Sequence, residues 1–214
     1  MPELPEVETT RKGIEPHLLN QTISQIVIRQ KQLRWPIPSL IKDVLKNQII
    51  NAVERRAKYL LIKTAAGTLI IHLGMSGSLR VLASNSAAQK HDHFELQLSN
   101  GQCLRLRDPR RFGSVLWTDQ DPLQHKLLIN LGPEPFSAEF NATAMYQISR
   151  QRKVSIKQFI MNANIVCGVG NIYASEALFI SGIHPQRQAG RISLKRYALL
   201  CDNIKTLLKL SIKL

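Results

Sequence analysis

The sequence predicts an α+β fold: an antiparallel β-sandwich or barrel that carries an N-terminal helix, followed by a helical second part. Three observations carry this reading. Short runs of branched and aliphatic residues, separated by turn signals, succeed one another from ISQIVIRQ to GSVLWT. The composition is that of a globular chain, 44% hydrophobic over 214 residues, long enough for two domains. The texture then changes at LGPEPF, beyond which apolar residues recur at helical spacing. Two prolines around Glu134 read as a linker, which divides the chain into domains of residues 1–133 and 134–214.

In chain order, PEVETTRKGIEPHL predicts a helix from Glu6 to Leu18. Pro5 suits a first turn, Glu6 and Glu8 suit the positive end of the helix dipole, and Val7, Ile14 and Leu18 form one apolar stripe. ISQIVIRQ, RAKYLLIK and GTLIIHLGM predict strands. HFELQLSNGQCLRLR predicts a hairpin: Phe94, Leu96 and Leu98 alternate, Asn100-Gly101 supplies positive φ angles for a tight turn, and Leu104 and Leu106 alternate back. GSVLWT is a further strand. Helices are expected in ATAMYQISR, VSIKQFIMN, IYASEALFISG and LKRYALLCDNIKTLLKLSIKL. The last is amphipathic, with Leu200, Ile204, Leu207 and Leu208 on one side and lysines on the other.

The formal charge of +14 points to a polyanionic partner, nucleic acid above all; charge alone leaves ribosomal RNA and anionic membranes open. Residues 1–133 hold 18 basic and 11 acidic residues and residues 134–214 hold 11 and 4, so the shorter helical part is more densely positive. Charges occupy the opening residues where a secretory signal would be apolar, and no apolar run could cross a bilayer, so a cytoplasmic protein is expected. Cys103, Cys167 and Cys201 are far apart and odd in number. They complete no metal-ligand spacing with the six histidines, so neither a disulfide framework nor a metal site is expected.

The opening MPELPEVETT places a proline where removal of the initiator methionine exposes it. An N-terminal amine titrates near neutrality, unlike a lysine, so part of it is a free nucleophile at physiological pH. A secondary amine attacking a sugar C1′ gives an iminium ion directly, and Glu3 beside it can move protons to or from the sugar. Met75 lies in LGMSG; methionine ordinarily fills a core, but these glycines suggest an exposed loop tip where an apolar wedge enters a base stack. DPRRFG has the same character, with Asp108-Pro109 turning the chain before Arg110 and Phe112. In GVGNIYASEALF, Gly168 and Gly170 allow close backbone approach to a ligand. Asn171 can cap the helix that follows, whose exposed amides would hold a phosphate; a helix–turn–helix corner without a ligand reads equally well. Arg55, Arg56 and Lys58 form a basic triplet on a strand, either solvated or in contact with an anion.

MPELPEVET, RRAKYLL, IHLGMSGSLR, KHDH, DPRRFG, LGPEP and GVGNIYASEALF, in that order, resemble the formamidopyrimidine-DNA glycosylase family, over essentially the whole chain. The resemblance implies excision of oxidised purines such as 8-oxoguanine and formamidopyrimidines from damaged double-stranded DNA, followed by abasic-strand nicking, by a nucleoid-associated enzyme that acts as a monomer. It implies that Pro2 is the Schiff-base nucleophile, Glu3 its acid-base partner and Lys58 a further catalytic cation. Met75, Arg110 and Phe112 would fill the gap left by the extruded nucleotide, with Arg110 bonding the orphaned base. His72 and His91 would contact phosphates, although a lone histidine is more often structural. Arg152 and Asn171 would hold DNA through a helix-two-turn-helix module.

The last residues read are LKLSIKL. Family members continue with a capping loop for the damaged base and a four-cysteine zinc finger. The sequence reading therefore expects a truncated member with no zinc or other cofactor, weaker binding, and glycosylase and β-lyase action without assured δ-elimination. A DNA-binding remnant without turnover is the alternative.

Overall fold

A computed structural model describes residues 2–213; Met1, whose removal the Pro2 chemistry requires, and Leu214 lie outside the described residues. The chain divides into two compact units, one of residue 2 and residues 6–129, the other of residues 3–5 and 130–213.

The first unit opens with helix α1, Leu4–Leu18, whose first residues count with the second unit. It starts two residues earlier than the sequence pattern suggests. Val7, Ile14 and Leu18 are buried as the stripe requires. Strands β1 (Ile23–Ile28), β2 (Ala52–Arg56), β3 (Tyr59–Thr64), β4 (Gly67–His72), β5 (Ser78–Ala83), β6 (Asp92–Leu98), β7 (Gln102–Arg107) and β8 (Ser114–Thr118) follow, with a short helix α2 (Ile41–Val44) after β1. They form two four-stranded sheets, β1-β6-β7-β5 and β2-β3-β4-β8, with every neighbouring pair antiparallel. Leu60, Ile62, Leu69 and Ile71 of one sheet and Ile26, Phe94, Leu96, Leu104 and Leu106 of the other share one core, the expected sandwich.

Two local expectations need correction. RAKYLLIK is not one strand: it contains the turn between β2 and β3, with Arg56 paired to Tyr59 and Ala57 at φ 54. Lys58 thus stands in a two-residue turn rather than on a strand. No Gly or Asn announces that turn, which is why propensity missed it. At Asn100-Gly101 only Gly101 has positive φ, 81°. Gly101 N–H bonds Leu98 O at 3.3 Å and the Asn100 side chain accepts the Gln102 N–H, so the connection is a three-residue turn, Ser99 to Gly101.

The second unit holds α3 (Ala142–Ser149), α4 (Ile156–Met161), α5 (Asn171–Ile180) and α6 (Leu194–Lys213). Asn141 and Ser155 cap α3 and α4 by accepting N–H groups three residues on. Leu200, Ile204 and Leu208 of α6 are buried against Phe159, Tyr173 and Leu178, and Leu207 is partly buried beside them. The segment read as a linker belongs to this unit: Gly132 N–H bonds Ala163 O, and Pro133 O accepts the Cys167 N–H. A Cβ at Gly132 would lie 2.7 Å from Asn164 O, so its glycine serves packing as well as turning.

Candidate functional site

In the sandwich unit, topology creates the first element of the site. The Leu73–Gly77 turn carries the chain from β4 of one sheet to β5 of the other, and residues 108–113 carry it back from β7 to β8. Since Ser78 pairs with Arg107 and His72 with Ser114, the two crossovers must run side by side. A pocket of about 530 Å³ opens there, lined by Leu33, Arg34, His72, Gly74, Met75, Arg110, Arg111 and Phe112. Met75 and Phe112 are 43% and 45% exposed, too open for core fillers, and the Arg110 guanidinium stacks 4.7 Å from the Phe112 ring centre. Four sequence-selected residues therefore meet in one place. Arg34 was missed by the sequence reading; only its tertiary neighbours distinguish it from other surface arginines.

His72 is held as a neutral donor. Its Nδ1 accepts the Gly74 N–H at 3.0 Å, so its proton belongs on Nε2. Burial lowers its pKa to about 4, and the charges of Lys58 and Arg34 push the same way. Lys58, in the β2–β3 turn, thus acts electrostatically on the ring of His72. His91 does not line the pocket. It sits at φ 76 beside the second crossover, its carbonyl accepting the Asp108 N–H and its ring edge-on to His93.

In the helical unit, the start of α5 already has an occupant. Glu3, 3% exposed, accepts N–H groups from Gly170 at 2.8 Å, Ile172 at 2.9 Å and Tyr173 at 3.4 Å. These are donors that a helix leaves unsatisfied at its first turn. The expectation that they await a phosphate is corrected: a carboxylate of the chain takes them. Asn171 does not cap the helix, since Gly170 is the N-cap and Asn171 the first helical residue, exposed to solvent. The glycines admit the chain itself, for a Cβ on Gly170 would come 2.3 Å from Glu3 Cδ, and one on Gly168 2.5 Å from Leu4 Cδ1. Pro2 precedes this tethered residue and is half-buried.

Arg152 is exposed in the α3–α4 connection. Its neighbour Arg150 turns inward, donating to the carbonyls of Tyr146 and Ile192 and stacking 3.7 Å from the Tyr146 ring centre. Among the described residues, no group of three or more His, Cys, Asp or Glu could hold a metal ion. Among them, too, no helix is long and apolar enough to cross a membrane.

Residues 1–115 match the family model of the formamidopyrimidine-DNA glycosylase N-terminal domain, and residues 131–214 that of the formamidopyrimidine-DNA glycosylase H2TH domain. The formamidopyrimidine-DNA glycosylase of Stutzerimonas stutzeri is 55% identical over 213 residues, covering 100% of this chain and 78% of that protein. That of Nitrosococcus oceani is 55% identical over 208 residues, covering 97% and 77%. The crystal structure of the Lactococcus lactis enzyme bound non-covalently to DNA containing an AP site superposes with a TM-score of 0.92 at 31% identity, covering 99% of this chain and 82% of that one. With the two crossover loops and the α5 turn in place, these matches settle the lineage: the chain belongs to the formamidopyrimidine-DNA glycosylase family.

Proposed function

We propose that this protein is a base-excision-repair DNA glycosylase that removes oxidised purines, 8-oxoguanine and formamidopyrimidines, from damaged double-stranded DNA and nicks the abasic strand. Family membership supports the reaction class. The observation that carries the chemistry is the seating of Glu3 on three backbone amides, which fixes the residue directly after Pro2.

In this reading the Pro2 nitrogen attacks C1′ of the damaged nucleotide, the bond from C1′ to the base breaks, and the base leaves with a proton. The sugar ring opens to an iminium ion on Pro2. Loss of a C2′ proton then sends electrons toward C3′, expelling the 3′ phosphate, and water releases the sugar from the amine. Glu3 carries protons at the sugar, and Lys58 contributes positive charge toward the phosphates. Met75, Arg110 and Phe112 occupy the space vacated by the flipped nucleotide, offsetting part of an unstacking cost of a few kcal/mol. His72, as a neutral Nε2–H donor, and His91, Arg152 and Asn171 take backbone contacts, which position without reading sequence. An enzyme with this substrate works beside the nucleoid, in the cytoplasm.

The test is borohydride trapping on a duplex with 8-oxoguanine opposite cytosine. A covalent adduct mapping to Pro2 and lost in Pro2→Gly is expected. Salt-sensitive binding with no adduct would instead leave a DNA-binding remnant.

A further inference from the structure

Asp108 is fully buried, and its carboxylate faces no cation in hydrogen-bond range among the interactions of the described residues. It bonds across both crossovers instead. Oδ1 accepts the Ser76 hydroxyl at 2.6 Å, and Oδ2 accepts the Gly113 N–H at 2.7 Å. Ser76 Oγ in turn accepts the Arg110 N–H at 3.2 Å. The Asp108 backbone is held from a third side, its N–H by His91 O and its carbonyl by His93 Nε2 at 2.9 Å. The crossovers also touch directly: a Cβ on Gly74, at φ 64, would meet Gly113 N and Phe112 C at 2.4 Å.

We infer that Asp108 is a positioning residue, a latch that joins the Met75 loop to the Arg110–Phe112 loop so that the three wedge side chains enter the base stack as one body. Two separate loops would each lose conformational freedom on insertion; loops already joined have lost it on folding, so more of the contact energy opposes restacking. Ser76 is the pivot, since its hydroxyl bonds both the carboxylate and the backbone of Arg110. This rests on the wedge role given above to Met75, Arg110 and Phe112.

The reading separates two steps. Excision from an intact lesion requires the nucleotide to be extruded, whereas a pre-formed abasic site has no base to unstack. Ser76→Ala removes the pivot with little threat to folding. Single-turnover excision of 8-oxoguanine should fall about fivefold to tenfold, the scale of one lost hydrogen bond. Nicking of an abasic duplex should change by less than about twofold on the same scale. The fluorescence rise of 2-aminopurine placed beside the lesion should shrink in parallel with excision, and Ser76→Thr, which keeps the hydroxyl, should restore both. Equal losses in excision and nicking, or no loss in either, would overturn the latch. If wild-type protein unstacks 2-aminopurine but never excises, the glycosylase reading fails and the fluorescence of Ser76→Ala still decides the latch. If wild type does not unstack at all, both fall.

Discussion

Glu3 and Asp108 are both buried carboxylates that accept backbone N–H groups, yet their surroundings differ in kind. Glu3 accepts three N–H groups from one rigid object, the start of α5, and that seat requires Gly168 and Gly170 to lack side chains. Asp108 is held by two loops, and its partners include a serine hydroxyl that rotates. A helix end supplies a geometry set in advance by its own hydrogen bonding; a pair of crossovers has none until something ties it. The sandwich therefore spends a buried side chain where the helical unit spends two missing ones.

Substitutions at the two seats should sharpen this contrast. The largest effect is expected at Gly170→Ala, whose new Cβ meets Glu3 Cδ at 2.3 Å and must displace it. Borohydride trapping should slow about 100-fold, the lower range for a misplaced acid-base group, with far-UV circular dichroism unchanged. Trapping at the wild-type rate would show that Glu3 needs no such seat. Next is Asp108→Ala, which leaves the buried Gly113 N–H without its acceptor. Urea unfolding should register a loss of about 1–3 kcal/mol; a loss near zero would mean the crossovers hold without it.

A third effect depends on pH. The unfolded chain takes up a proton that half-buried His72 refuses, so stability should be lost as pH falls from about 6.5 to about 4. Because the ring is partly solvated, the loss should be about 2 kcal/mol. His72→Gln, which can still accept the Gly74 N–H, should flatten the pH dependence measured by thermal melts. The smallest effect is a gain. Gly13 lies exposed within α1 with nothing near its missing Cβ, so Gly13→Ala should stabilise by about 0.5–1 kcal/mol. The same glycine-to-alanine change thus has opposite consequences at positions 13 and 170. Gly13 lies inside a helix with open space beside it, and Gly170 caps one with Glu3 against it.

Much was legible in the sequence because its causes are local. The stripe of Val7, Ile14 and Leu18, the alternation through Phe94 and Leu96, and the face of Leu200, Ile204 and Leu208 follow from the 3.6- and 2-residue periods of side-chain direction. The exposure of Met75 and Phe112 was announced by flanking glycines and charges. The β2–β3 turn was hidden because Ala57 takes a left-handed φ without a glycine, a conformation that tertiary packing must impose. What no local rule contains is which strands become neighbours. The pairings β5 with β7 and β4 with β8 bring residues 73–77 beside 108–113, and the path of the chain brings Glu3 to residues 170–173, 167 positions away at the nearest. The chain alone determined the residue types able to do the chemistry. Their partners were decided by long-range packing, because a hydrogen bond depends on distance in space and carries no trace of separation along the backbone.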